Sequence, residues 1–479
     1  MPNRITLLLG ALLFLTSGTM HATTTVEELP ELGDSSSNTL SQQRAALIGS
    51  EIVRSIRQAG LIIDDPLLSA YVEKLGNNIA AHTSGGERFT FFVVDAPSIN
   101  AFALPGGYIG IHSGLILASQ SESELAGVVA HEIAHVTQHH IARGIEQANR
   151  MDLPLTLAVL ATILLSGGDP GVANAAVAAG LGGSTQMQIN FTRAHEHEAD
   201  RIGIQLLART EYETEGMAAF FKRLQENSRY YGEGVPEFLS THPVTTSRLA
   251  EAQVAAEQYQ RRMRLDSSSY HVAKARVKLM HSKSAEQLMR ELTRSERRDE
   301  HSLYLQAITH IALQQPQQAK KILSQLLRNA PESIPYRETY GRLLFEQGEH
   351  TRAIKLYRDG LKRYPNNELL LMSLCRSLLA EKNYSEGRDL LQGVVRRNPR
   401  SIVGIDLLAQ LETETGNPVA AHLARAEYYL LLEEPHSALG QVNLAKRVEK
   451  KDFYHSSRIE ALTQQITEQI ANQAQLQQE

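Results

Sequence analysis

The residues best placed to do chemistry in this sequence are His131, Glu132 and His135, spaced as H-E-x-x-H within the stretch VVAHEIAHVTQHH at 128–140. On a helix, residues i and i+4 share a face, so the two imidazoles sit one turn apart and can grip one Zn2+. Glu132 is then held beside the ion rather than on it. There it can take a proton from coordinated water, whose pKa the metal pulls toward neutrality, leaving a hydroxide nucleophile at ordinary pH. Ser121-Glu122-Ser123-Glu124 has the form of a capping box, so the helix is expected to start there. The run Leu125 to Val136 around the motif is apolar, and burying two histidines and a glutamate in it is costly without a metal or partners.

A catalytic zinc keeps three protein ligands and one open position. The H-E-x-x-H-x-x-G-x-x-H arrangement is excluded, because Gln138 and Ile141 stand at its glycine and last histidine. His139 and His140 read as rim residues or as supports behind the ligands. The segment Ala194-His195-Glu196-His197-Glu198-Ala199-Asp200 is a better source. On a second helix Glu196 and Asp200 share a face. Glu196 can ligate, and Asp200 can accept a hydrogen bond from a ligand imidazole and so fix its tautomer. His195 and His197 flank that face and stay open as ligands, whereas Glu198 points away and is expected to be solvated.

H-E-x-x-H followed by E-x-x-x-D resembles the gluzincin peptidases related to the CAAX prenyl endopeptidases. The stretch Asn100-Ala101-Phe102-Ala103-Leu104-Pro105-Gly106-Gly107, with Gly114-Leu115, resembles the edge-strand signature of that family. The chain as a whole is similar to the family's soluble periplasmic branch, the β-barrel assembly-enhancing proteases. The resemblance implies His131, His135 and Glu196 as ligands of one Zn2+ per chain and Glu132 as general base. It implies a zinc endopeptidase in quality control and assembly of outer-membrane proteins. Its partners would be misfolded or stalled outer-membrane proteins and their assembly machinery. His242, in Ser240-Thr241-His242-Pro243, then has two functional readings. It hydrogen-bonds a developing oxyanion, or it fills the open zinc position and holds the enzyme latent. Arg248, a turn and a half further on, is a candidate for binding a carboxylate or oxyanion.

The elements that must position these groups give a mainly α fold. It is a helical gluzincin metalloprotease domain with a small β-sheet, followed by an α-helical tetratricopeptide solenoid. Gln42 to Gln58 has helical periodicity, and Asp64-Asp65-Pro66 starts a further helix through Ala80. Phe89 to Val94 reads as a strand. Asn100 to Ala103 and Tyr108 to His112 flank a Pro-Gly-Gly turn, and a strand unpaired on one side there can add a peptide as an extra strand. His112 reads as a satisfied strand histidine. The segment 151–189 reads as two short helices in a hairpin; packing in the core is favoured over peripheral membrane contact, since neither run reaches the ~20 residues of a span. The second ligand helix is expected over Asn190 to Thr210, with further helices at Gly216 to Leu224 and from about Val244 through Gln260.

Beyond about Ser267 the chain repeats. Pro331, Pro365 and Pro399 are spaced by 34, as are Ala319, Ala353, Gly387 and Ala421, and Ala307, Gly341, Cys375 and Ala409. That period with small residues at these offsets is the tetratricopeptide pattern, whose concave faces bind other proteins. Cys375, the single cysteine, is expected to be buried and inert. The repeats drift after Pro399.

At 479 residues with a net charge of −5, the chain is long enough for several domains and does not suit nucleic-acid binding by bulk charge. Arg4, the apolar run Ile5 to Leu15 and Met20-His21-Ala22 read as a secretory signal peptide cut after Ala22, and for an exported chain the resemblance implies the periplasm. The expected division is a signal peptide at 1–22, a metallopeptidase domain at 23–266 and a repeat domain at 267–479. The alternative function is a chaperone or assembly scaffold in which proteolysis is minor.

Overall fold

A computed structural model describes residues 42–141, 143, 193–228, 237–295, 299–449 and 452–478. The expected signal peptide, the leader after it and the hairpin at 151–189 lie outside the described residues. Two helices come first, α1 (Gln42–Gln58) and α2 (Pro66–Ala80). Asp65 caps α2 by accepting from the N–H groups of Leu67 (3.0 Å) and Leu68 (3.2 Å), and Pro66 occupies the first turn, where no N–H is needed.

The sheet has three strands, β1 (Thr90–Val94), β2 (Ala101–Leu104) and β3 (Tyr108–His112), in the order β1-β3-β2. β3 is central, parallel to β1 and antiparallel to β2, with Phe91 opposite Ile109 and Ala103 opposite Ile109 on the other side. β2 is therefore an edge strand. The turn between β2 and β3 depends on Gly107, at φ +82°, where a Cβ would meet the Arg88 carbonyl oxygen at 1.9 Å.

After the short α3 (Ser113–Ala118) comes α4 (Glu122–Thr137), which carries the H-E-x-x-H motif and is buried from Glu122 through His135. Ser121 caps it through Glu124 N–H (3.2 Å), as the sequence suggests. The reciprocal half differs: the Glu124 carboxylate accepts from Gln120 N–H (2.6 Å) and pairs with Arg223. α4 packs against α5 (Arg193–Ala208) and α6 (Glu215–Ser228). α5 crosses α4 closely at Gly203, where a Cβ would lie 3.2 Å from His131 N. The short α7 (Glu237–Thr241) leads to His242, and α8 (Thr246–Glu257), capped by Thr245, follows.

From α9 (Ser268–Met280) onward the chain is helical pairs. The phased small residues lie where helices meet: Ala307, Ala319, Ala353 and Cys375 are fully buried. The period is written in the backbone too. Gln314, Gly348, Lys382 and Gly416, each 34 apart, all take positive φ in the turn inside a pair. Drift sets in at Glu433, where another positive-φ turn joins helices 418–431 and 435–448 directly. Burial pushes the Cys375 thiol up to about 12, which fits an inert side chain.

The junction is rigidly tied. α9 contributes Tyr270, Ala273 and Val277 to the core around α4, and Val272 and Ala275 to the first repeat core. Ser267 caps α9 and donates its hydroxyl to Glu122 (2.8 Å), in the first turn of α4. Arg276 pairs with Asp65 (2.7 Å) and donates to Tyr304 (3.2 Å). The array then curves back: helix 368–380 touches α2, and Arg400 and Glu433 come within electrostatic reach of Tyr108. Among the described residues no helix is long and apolar enough to cross a membrane.

Asp65 therefore both caps α2 and balances a nearly buried guanidinium. Asp65→Ala should destabilise the chain by about 3–5 kcal/mol, since it strands Arg276 and removes the cap. Asp65→Asn keeps the cap and should fall between the two in denaturant unfolding.

Candidate active site

Two helices and one loop supply the site. His131 and His135 stand one turn apart on α4, Glu196 lies in the first turn of α5, and His242 follows α7. One donor atom from each of the four lies within 4.8 Å of all the others. His131 Nε2 is 3.0 Å from His135 Nε2 and 3.3 Å from His242 Nδ1. Glu196 is 3.3 Å from His135 Nε2 and 3.1 Å from His242 Nδ1. Four tetrahedral ligand atoms on a zinc ion sit about 3.3 Å apart. The spacing here, together with a donor set of imidazoles and one carboxylate, fits that ion.

Glu132 faces this cluster, fully buried, and neither carboxylate oxygen has a hydrogen-bond partner among the described residues. His242 Nε2 is 3.6 Å away. Burial pushes the Glu132 carboxyl up, and His242 and His131 offset part of this, as does the backbone of Ala103 on edge strand β2. A buried carboxylate without partners beside converging donors is poised for proton traffic rather than for structure.

Behind the donors, Asp200 approaches His131 Nδ1 to 3.0 Å at a bent angle. Arg248 grips Asp200 through two bonds of 2.7 Å and reaches Glu196 Oε2, also at 2.7 Å. At 1% exposure, with a further bond to the Pro243 carbonyl, its fork is saturated by the protein's own groups. The expectation from sequence is that Arg248 binds a carboxylate or oxyanion. Arg248 does hold carboxylates, but they are Glu196 and Asp200. Burial pushes both acids up; Arg248 and His131 bring Asp200 back below its ordinary value, and the three histidines hold Glu196 well below its own.

The residues left open resolve geometrically. His197 turns outward to Glu251 (2.7 Å), and His195 stacks on His140 with ring centroids 4.4 Å apart. His112 Nδ1 meets Ser98 Oγ at 2.8 Å, while its Nε2 has no partner among the described residues, so it is only half satisfied. Glu198 is not simply solvated: it lies 3.0 Å from His140 Nε2 and accepts from Arg143. His140, read as a rim residue or a support behind the ligands, touches His135 although α4 stops at Thr137. The helix ends there, His139 takes φ +52°, and His140 is brought back against His135.

The chain matches Peptidase family M48 over residues 65–256 and tetratricopeptide repeats over 301–333 and 344–411. It is 34% identical over 92% of both chains to a putative beta-barrel assembly-enhancing protease of Vibrio cholerae. It is 33% identical to the beta-barrel assembly-enhancing protease of Escherichia coli K12, over 92% of this chain and 91% of that one. The chain belongs to the beta-barrel assembly-enhancing protease family of M48 peptidases. It is a zinc metalloendopeptidase with tetratricopeptide repeats. A mitochondrial metalloendopeptidase of Arabidopsis thaliana is 29% identical over 47% of this chain and 45% of its own.

The peptidase site also stores a proton. Burial pushes His131 down, but Asp200 and Glu196 outweigh it and hold the imidazole up at about 9, whereas burial drives His135 well below its ordinary value. The metal-free protein is therefore expected to carry a proton on His131 at pH 7, which a metal must displace. Zinc affinity should therefore rise with pH and level off near 9. Calorimetry in buffers of different ionisation heat should read the release of about one proton at pH 7.

Proposed function

We propose that this peptidase cleaves misfolded or stalled outer-membrane proteins in the periplasm and docks them, with their assembly machinery, through its repeats. The observation that carries the catalytic half is the unpartnered Glu132 carboxylate beside four converging donor groups. His131, His135 and Glu196 would hold one zinc ion per chain. A bound zinc ion supplies a Lewis acid that polarises the scissile carbonyl and acidifies water. Glu132 takes the water's proton and passes it to the leaving nitrogen. Asp200 orients His131, and Arg248 balances the charge of Asp200 and Glu196. An extended substrate segment pairs with the edge of β2 that is open among the described residues and lies beside Glu132.

The assembly role rests on the names of the relatives, the periplasmic setting on the expected signal peptide. Cutter and holder meet at α9, which belongs to both cores, and the inward curve of the array supports docking that raises the local substrate concentration at the cleft. Of the two readings of His242, the latent one is better supported: its Nδ1 sits inside the donor cluster rather than facing open space.

Glu132→Gln should keep the fold and bind zinc while cleavage of an unfolded protein falls about 10²–10⁴-fold. Undiminished cleavage would remove Glu132 from the mechanism, and assembly phenotypes that survive intact would make scaffolding the main task. His242→Ala separates the remaining readings. A plug predicts faster cleavage, an oxyanion donor slower cleavage, by initial rates at saturating zinc.

A further inference from the structure

We infer that His140 is a positioning residue for His135, which it serves as an obligatory hydrogen-bond acceptor. The inference rests on the reading of His135 as a zinc ligand. His135 turns Nε2 into the donor cluster, and its Nδ1 lies 2.8 Å from His140 Nδ1. Two ring nitrogens that close share one proton: one donates and the other accepts.

Both ends of the chain of contacts choose the same arrangement. If His135 offers its Nε2 lone pair to a metal, its proton is on Nδ1, so His140 Nδ1 must accept. On the far side, His140 Nε2 lies 3.0 Å from a Glu198 oxygen. An ionised carboxylate only accepts, so His140 carries its proton on Nε2 and leaves Nδ1 bare.

The ring is held firmly. His140 is fully buried and stacks on His195 at an interplanar angle of 15°. Glu198 is fixed by Arg143 at 2.7 Å. The two ligand imidazoles thus have unlike supports: a charged Asp200 behind His131, and a neutral imidazole relayed to Glu198 behind His135. Groups that orient metal ligands are commonly worth about 10–100-fold in affinity.

The test compares zinc affinity, by chelator competition on the metal-free full chain, for wild type, His140→Phe and His140→Asn. Phe fills the ring's space without an acceptor. Asn is smaller, but its amide oxygen can reach the place of Nδ1. We expect Phe to weaken zinc binding about 10–100-fold and Asn to restore most of it. Thermal unfolding of the metal-free variants reads packing separately. A Phe variant that binds zinc as tightly as wild type overturns the inference, and so does an Asn variant that binds no better than Phe. If wild type itself takes up no zinc, the zinc-ligand reading fails instead.

Discussion

The crossing of α4 over α5 brings several ionisable groups into one dry place, and the rest of the structure answers that constraint. Three carboxylates (Glu132, Glu196 and Asp200) and three imidazoles (His131, His135 and His242) are almost completely buried there. Unbalanced, such a cluster would cost several kcal/mol per charge. Arg248 supplies one fixed positive charge and is spent on two of the acids. A divalent cation completes the balance, which gives the site a stake in holding its metal that goes beyond catalysis. Glu132 is left out of this pairing, and so it is free to carry a proton.

The positions of the partners follow from small residues. Gly203 lets α5 come against the backbone of His131, so Glu196 and Asp200, two turns and one turn earlier, fall beside the imidazoles. On the sheet side, the positive-φ Gly107 returns β3 between β1 and β2 and leaves β2 at the edge. The edge and Glu132 therefore meet for topological reasons.

Periodicity and capping made most of the helices legible. The ends of α1, the Asp65 and Ser121 caps and the 34-residue phase of the repeats are local signals, and each survives folding because tertiary packing agrees with it. The spacing of His131, His135, Glu196 and Asp200 could be read because a helix converts i, i+4 into proximity. What could not be read depends on chain reversal or on distant charge. His140 needed the left-handed turn at His139, Glu198 needed His140, and the true partners of Arg248 needed the crossing of two helices. Each involves a direction that helical phase alone does not supply.

Attachment of the repeats has the same economy. α9 belongs to both hydrophobic cores, and its cap, Ser267, bonds the first turn of the helix that carries the catalytic pair. Arg276 repeats the tie at the cap of α2. A hinge needs a segment with few contacts, and this junction has none of that character. Movement of the whole array against the enzyme would break buried polar pairs at both caps. The tie is not confined to the first pair, since helix 368–380 also touches α2.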